Sequence, residues 1–220
     1  MNTHHSTETA EYRTAMGRLL ALYTQVDRLI LEVCAARIAG APDEEAKLAL
    51  AKQVGEERRH VAIQHAWMAE LGTDPAPLVG AAAEEAIRAH FRDLSWRDFL
   101  ADLYLGVEAL GGEAVQEIVP VADPGTRESL RIPLADEVDH VAFGLGRLRQ
   151  ELAGLPEEER RRFLAGLPAR LEHLAAALHA LGLDLQGLLQ AVGVPYPTVR
   201  DAVLSRRSDL LQDLAAEVVA

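Results

Sequence analysis

The sequence predicts an all-α protein, and three observations support that prediction. Almost half of the 220 residues are apolar but only 5% are aromatic, and Ala and Leu interspersed with Glu and Arg favour packed helices over strands. Apolar residues recur at spacings of three, four and seven, which is typical of helices with one buried side. Two segments also repeat one polar pattern, an acid followed by Glu-x-x-His, which indicates a four-helix bundle with a site in its core.

The first helix is predicted from about Thr9 to Arg37. Its apolar side is formed by Met16, Leu20, Tyr23, Ile30 and Cys34. Asp27 falls inside this apolar side, four residues after Tyr23 and three before Ile30. A carboxylate at such a position needs a compensating partner, and a metal ion would supply one.

The second helix is predicted from Asp43, a candidate N-cap, to about Leu71. Glu57 and His60 lie three residues apart, so on a helix they project from nearly the same face. They share that face with Leu50, Val54, Gln64 and Trp67 rather than with the charged residues. We expect Gln64, like Cys34 of the first helix, to line an internal cavity.

The third helical region is predicted from about Val79 to Val119, with a break near residues 94–95. Its inner side comprises Ala101, Tyr104, Glu108, Gly111 or Gly112, and Val115. Glu108 is therefore the candidate ligand of this region, whereas the alternatives Glu113 and Glu117 are predicted to be solvated. Three glycines near Glu108 each weaken an α-helix by about 1 kcal/mol relative to Ala. We expect this segment to be distorted or mobile, most of all without metal.

A turn at residues 120–125 precedes the fourth helix, which contains Asp136, Glu137 and His140 and continues to about Leu152. Pro133 is expected either to kink this helix or to begin its regular part. Further helices are predicted at 157–181, at 183–192 and from about Thr198. The predicted organisation is a four-helix bundle with a dinuclear metal site over residues 1–155. Residues 156–220 form a helical extension packed on it, within a single domain.

Six side chains are predicted to converge on two metal ions. They are Asp27, Glu57, His60, Glu108, Glu137 and His140. Asp27 is preferred to Glu32 on the first helix, because Glu32 points away from the apolar side. Carboxylates and imidazoles together suit iron, manganese or a mixed manganese–iron pair better than zinc. Two Fe(II) ions would share the reduction of O2.

Further residues are predicted to support this site. Asp136 is expected to accept the second ring N–H of a ligating histidine from the facing helix. Glu56 has two interpretations, the same supporting role or an exposed partner of Arg59 or His60. Tyr23 and Tyr104 each lie one turn before a proposed ligand, where they would donate a hydrogen bond or carry a radical. The alternative is that both are core tyrosines with satisfied hydroxyls.

Charge and composition exclude several classes of protein. A formal net charge of −12 argues against nucleic acid and anionic membranes as partners, since both require basic patches. The single cysteine, Cys34, excludes an intramolecular disulfide, and no apolar stretch reaches membrane-spanning length. The first residues lack a basic start and an apolar signal core. We therefore expect a cytoplasmic protein.

The motifs resemble the ferritin-like di-iron carboxylate superfamily, and their layout is most similar to that of the aldehyde-deformylating oxygenases. The likeness consists of Glu108, then Pro120-Val121-Ala122-Asp123, then Glu137-x-x-His140 followed by Phe143-Gly144. It covers roughly residues 10–152 in layout and 108–144 in sequence. Asp27 departs from the Glu of those enzymes, and Pro133 and the helices from residue 156 onward fall outside the pattern.

This resemblance implies an O2-dependent di-iron oxygenase or oxidase that acts on a small or medium apolar organic substrate. An external electron donor and a monomeric or homodimeric state accompany that expectation. One alternative is an iron-handling ferroxidase similar to bacterioferritin, which a large hollow assembly would favour. Another is a helical binding module with a vestigial site, which a failure to bind iron or manganese would favour.

Overall fold

The computed structural model describes residues 9–74, 76–179 and 183–219, and within these ranges the regular structure is entirely helical. The prediction of an all-α protein is therefore confirmed. The α-helices are α1 (Ala10–Arg37), α2 (Glu44–Leu71), α3 (Ala81–Asp93), α4 (Trp96–Leu100), α5 (Leu110–Gln116), α6 (Pro124–Ala153), α7 (Glu157–His179), α8 (Leu185–Ala191) and α9 (Tyr196–Val219). Among these described residues, no helix has both the length and the apolar composition needed to cross a membrane.

Helices α1 and α2 begin where their capping residues predict. The Thr9 side chain accepts a hydrogen bond from the backbone of Tyr12, and Asp43 accepts one from the backbone of Ala46. Such caps satisfy amide groups that have no partner within the helix. Gly72 ends α2 in the left-handed conformation, with φ 73°, which costs glycine little because it has no Cβ. The two helices pack against each other along their length.

The third helical region is divided into α3, α4, a π-helix at Ala101–Ala109, and α5. The Ser95 side chain accepts a hydrogen bond from the backbone of Asp98, so the chain restarts as a helix after the predicted break. Glu108 lies in the π-helix, which is the distortion that the neighbouring glycines predicted. The π-helix contacts α6, α7 and α9.

Helix α6 begins at Pro124, so the predicted turn at 120–125 is shorter than expected. Val119–Val121 form a short 3-10 helix, and Asp123 accepts a hydrogen bond from the backbone of Thr126 as the N-cap. Pro124 suits the first helical position, where no amide donor is needed. Pro133 lies inside α6 and is buried. Helix α6 starts nine residues before Pro133, so of the two alternatives for this proline the start of the regular part is wrong, and a kink stays a prediction.

Helix α6 runs antiparallel to α2, since Gln64 of α2 contacts Ser129 and Asp43 contacts Arg147. The buried core forms two clusters. One includes Ile30 and Cys34 of α1 with residues of α2, the π-helix and α6, and also Leu171 of α7 and Leu214 of α9. The other lies at the N-terminal end of α1 and includes Leu189 of α8 and Val199 of α9.

Candidate metal centre

Five of the six predicted ligands are buried together between α1, α2, the π-helix and α6. Their side chains come from four separate helical segments, and each residue is at most 4% exposed. They are Asp27, Glu57, His60, Glu108 and His140. The remaining predicted ligand, Glu137, is partly buried. Helical periodicity placed these residues on the inner faces, and the packing of the segments brings them to one region of the core.

The buried residues form two groups with the composition of a metal site. Asp27, Glu57 and His60 each offer a ligand atom within 4.8 Å of the others, and so do Glu57, Glu108 and His140. Glu57 belongs to both groups, so the two candidate metal positions are adjacent. A carboxylate shared by two positions is suited to bridging a pair of cations.

Each of the two histidines contacts an acid on the facing helix, so these contacts connect α2 with α6. His60 Nε2 lies 2.8 Å from Asp136 Oδ2, and His140 Nε2 lies 3.1 Å from Glu56 Oε2. The other ring nitrogen of each faces Glu57, with Nδ1 of His60 3.1 Å from Oε2 and Nδ1 of His140 3.4 Å from Oε1. Each Nε2 is thus occupied by an acid, which leaves Nδ1 as the nitrogen directed at the candidate metal positions.

The acids before the two motifs both make the contact predicted for Asp136. Glu56 also pairs with Lys52, at 3.1 Å between Nζ and Oε1. Its alternative partner, Arg59, instead pairs with Asp136. Glu56 and Asp136 therefore each join a ring nitrogen on the facing helix to a basic side chain on α2.

The structure also distinguishes the two candidate ligands on α1, Asp27 and Glu32. Asp27 is 2% exposed, whereas Glu32 pairs with Arg88 of α3 at 2.5 Å and lies outside both groups. Among the described residues, none donates a hydrogen bond to Asp27 Oδ2, although this atom is buried. A buried carboxylate oxygen without a donor is costly unless a cation compensates it.

Glu137 is the predicted ligand that joins neither group within the described part of the chain. Its Oε1 accepts a hydrogen bond from the Tyr23 hydroxyl. Its Oε2 lies beside Gly112, 2.6 Å from where a Cβ at that position would be. Tyr23 therefore makes the predicted contact with a ligand candidate, and Gly112 leaves the space that the Glu137 carboxylate occupies.

Gln53 is a residue of the site that the sequence analysis missed. Its amide Nε2 donates to Glu108 Oε1 at 2.5 Å, and its Oε1 accepts from the Tyr104 hydroxyl at 2.8 Å. Tyr104 thus reaches Glu108 through Gln53 rather than directly. The available signal was the spacing, because Gln53 precedes Glu57 by four residues and shares its helical face.

The two residues expected to line a cavity are fully buried. Cys34 belongs to the cluster that surrounds the π-helix, and burial raises the pKa of its thiol. Gln64 instead connects two helices, because its Nε2 donates to the Ser129 carbonyl at 3.0 Å and its Oε1 accepts from the Ser129 hydroxyl at 3.3 Å. Its polar atoms thus serve helix packing, and the cavity role of both residues stays a prediction.

Burial and mutual repulsion raise the pKa values of three carboxyl groups in this region. Burial is the main cause for Asp27, Glu108 and Glu137, and the charge of Glu57 adds to it, so the pKa of Glu137 reaches about 7. For His140, burial lowers the pKa, but the neighbouring Glu108 and Glu57 outweigh it and raise the pKa to about 9. The cluster thus concentrates negative charge that a cation would neutralise.

The donor set fits a pair of divalent cations. Both groups combine two carboxylates with one imidazole, and Asp27 Oδ2 and His140 Nδ1 are buried atoms without a hydrogen bond from the described residues. No thiolate belongs to either group, which favours iron or manganese over zinc. The chain matches no protein-family model, and no curated protein matches it.

Proposed function

We propose that the chain is a ferritin-like four-helix-bundle protein that binds two iron ions and catalyses an O2-dependent oxidation. The observation that supports this most strongly is the pair of facing Glu-x-x-His motifs, with Glu57 common to both groups of candidate ligands. Di-metal carboxylate bundles use this pattern, with a single carboxylate from each of the other two helices. Asp27 and Glu108 correspond to those two carboxylates.

One ion would be held by Asp27, Glu57 and His60, and the other by Glu57, Glu108 and His140. Glu137 is proposed as the remaining carboxylate ligand. Manganese, or a mixed manganese–iron pair, is compatible with the same donors. When bound, the two ions supply the redox chemistry that reduces O2 and oxidises a substrate.

The surrounding side chains bind, orient and shield this centre. Asp136 and Glu56 fix the ring orientation of the two histidines and increase the basicity of the free nitrogens. Gln53 restrains Glu108 through its amide, and Tyr23 holds a proton at Glu137 Oε1. The nearly complete burial of the ligands excludes water and strengthens their electrostatic interactions.

The proposed substrate is a small or medium apolar organic molecule. The site borders a buried cluster that includes Ile30, Val33, Cys34 and Ala109, with Phe143 packed against it. A substrate that packs against these side chains would be recognised by its apolar area rather than by charge. The proposal includes an external electron donor. Oxygenation of the substrate supplies only part of the electrons that the reduction of O2 consumes.

Anaerobic loading with Fe(II), followed by O2 and monitored by optical and Mössbauer spectroscopy, tests the proposal. We expect two iron ions per chain and a coupled di-iron signal. Glu57→Ala should abolish that signal because it removes a ligand candidate from both groups. Glu70→Ala is the matched control, since Glu70 lies exposed on the same helix.

A coupled signal in Glu57→Ala, or no bound iron in the native protein, would contradict the proposal. Sizing of the purified protein adds a second criterion. A monomer or dimer agrees with an oxygenase or oxidase, whereas a large hollow assembly would favour iron storage.

A further inference from the structure

Asp102 is a buried acid that the proposed centre does not use. It is 0% exposed and lies in the π-helix at Ala101–Ala109, the segment that also provides Glu108. It belongs to neither group of candidate ligands. A fully buried carboxylate is retained in a structure only with strong compensating partners.

The partners of Asp102 come from two other helices. Arg170 of α7 donates to both carboxylate oxygens, through Nε to Oδ1 and through Nη2 to Oδ2 at 2.9 Å. His90 of α3 places its Nε2 2.7 Å from Oδ2. Arg170 also donates to Asp98 Oδ1 at 2.7 Å, just before the π-helix begins. We call Asp102, His90 and Arg170 the Asp102 cluster.

The cluster fixes both the position and the orientation of the start of the π-helix. A two-point contact between a guanidinium and a carboxylate defines the angle of the carboxylate as well as its distance. Helix α7 makes a second contact farther along, where a Cβ on Gly106 would come within 2.9 Å of Leu174. The π-helix therefore has one side against α7 while Glu108 faces α2 and α6.

A π-helix needs such external contacts. Its hydrogen bonds span five residues rather than four, and long π-helical segments are rare because this arrangement is intrinsically unfavourable. Conformations of this kind persist where the surrounding structure determines them, and they occur often at functional sites. A change from π to α winding between Asp102 and Glu108 would rotate one residue relative to the other about the helix axis.

We propose that the Asp102 cluster is a positioning device for the metal centre. It holds the π-helix in the winding that presents Glu108 to Glu57 and His140, so α7 controls the geometry of the second group of ligands. The inference rests on the proposed function, because it assigns the two groups to two bound ions. Asp102, His90 and Arg170 act through Glu108 and do not touch the ions.

The proposal predicts unequal effects on the two metal positions. The group of Asp27, Glu57 and His60 has no member in the π-helix, whereas the group of Glu57, Glu108 and His140 has one. Loss of the cluster should therefore weaken ion binding by Glu57, Glu108 and His140 and leave binding by Asp27, Glu57 and His60 nearly unchanged. A merely structural role would weaken both positions together.

Anaerobic titration with Fe(II) and with Mn(II) tests this in Arg170→Met and in the double variant Asp102→Asn/Arg170→Met. The double variant removes the charge that Arg170→Met alone would leave buried. We expect one of the two dissociation constants to rise at least tenfold and the other to change less than twofold. Arg170→Lys should restore the lost affinity only in part, because it keeps the positive charge but a single ammonium cannot make both contacts.

Arg207→Met is the matched control. Arg207 of α9 is about as exposed as Arg170, at 25% against 28%, and it pairs with Glu172 of α7 away from Asp102. Hydrogen exchange of the metal-free proteins provides a readout that is independent of metal. Exchange at residues 101–109 should increase in Arg170→Met and in the double variant, and it should match the native protein in Arg207→Met.

Equal weakening of both metal positions, or two unchanged dissociation constants in both cluster variants, would overturn the proposal. Unchanged exchange at residues 101–109 would overturn it as well. If the native protein binds no metal, the proposed function fails, and the exchange comparison alone decides whether the Asp102 cluster holds the π-helix.

Discussion

Asp27 is the residue whose environment most requires a cation. Its carboxylate is buried, and its Oδ2 receives no hydrogen bond from the residues that the structure describes. Burial, followed by the charge of Glu57, raises its pKa well above the ordinary value. An unpaired buried carboxylate costs several kcal/mol, and a nearby divalent cation offsets that cost directly. A hydrophobic residue would fill this position more favourably if the protein bound no metal.

Asp136 and Glu56 give the two histidines equivalent surroundings, although they differ in length and lie on different helices. An acid on the outer ring nitrogen selects the tautomer whose inner nitrogen is free to bind a metal. The orientation of each imidazole is therefore set by the facing helix rather than by its own. Each acid is in turn held by a basic residue of α2, Arg59 or Lys52.

Asp136→Asn should weaken metal binding at the position of His60. An amide at this site is a poorer acceptor for the ring N–H, and loss of such a partner typically costs about 10- to 100-fold in metal affinity. Competitive titration against a chelator measures this change. Asp139→Asn is the control on the same helix, because Asp139 is exposed and pairs only weakly with Lys52, at 3.6 Å. Equal affinities in both variants would show that Asp136 does not support the centre.

Periodicity placed Asp27, Glu57 and Glu108 correctly on inner faces, because each face depends only on spacing along one helix. Gln53 was missed because its spacing from Glu57 identifies only its helical face, and its role depends on the partners Glu108 and Tyr104 from another segment. The spacing of residues along its own helix indicated no role for His90. Its partner Asp102 comes from the π-helix, so the contact depends on packing between elements.

At the scale of an element, the π-helix could also be predicted only in part, because it depends on contacts with other helices. The glycines near Glu108 predicted a distortion, and the structure has one at Ala101–Ala109. Its type depends on contacts from α7, α2 and α6, which local sequence does not encode. The start of α6 was predicted too late for a local reason: the Pro-Gly pair at 124–125 suggested a turn, whereas Asp123 caps a helix that begins with Pro124.

Helix α6 packs closely against the π-helix at Gly144. A Cβ at this position would overlap the ring of Tyr104, whereas a Cβ on Gly146 would meet nothing within 4 Å. Tyr104 is fully buried and its hydroxyl is bonded to Gln53, so the ring has no space to move. The absence of a side chain at Gly144 therefore allows α6 to approach the segment that provides Glu108.

Gly144→Ala and Gly146→Ala should change stability in opposite directions. Overpacking against Tyr104 should destabilise the first variant by about 1–3 kcal/mol. The second should gain up to about 1 kcal/mol, because Ala has the higher helix propensity and meets no obstacle. Denaturant unfolding of the metal-free proteins measures both changes. A stable Gly144→Ala variant would contradict the close approach of α6 to the ring of Tyr104.

At the scale of the whole molecule, the C-terminal helices are joined to the candidate centre through the π-helix. Leu171 of α7 and Leu214 of α9 share a buried cluster with residues of the π-helix, and Arg170 contacts Asp102. The sequence predicted these helices but offered no role for them, since their function depends on what they cover. Their contacts now connect residues beyond 156 to the position of Glu108.

Metal binding should stabilise the entire fold, because the acidic cluster is least favourable when no cation is bound. At a free metal concentration 100 times the dissociation constant, binding contributes about 2.7 kcal/mol. For a chain of this length that corresponds to a rise of roughly 5–10 °C in Tm. Differential scanning calorimetry with anaerobic Fe(II) or with Mn(II) measures the rise, and a chelator should reverse it.

The net charge of −12 makes a control essential, since exposed carboxylates also attract divalent cations. Binding at the surface would raise Tm in the native protein and in Glu57→Ala alike. Binding at the buried centre requires Glu57, which both groups share, so the rise should disappear in Glu57→Ala and persist in Glu70→Ala. An equal rise in all three proteins would locate the stabilising cations at the surface and remove the thermodynamic support for a buried centre.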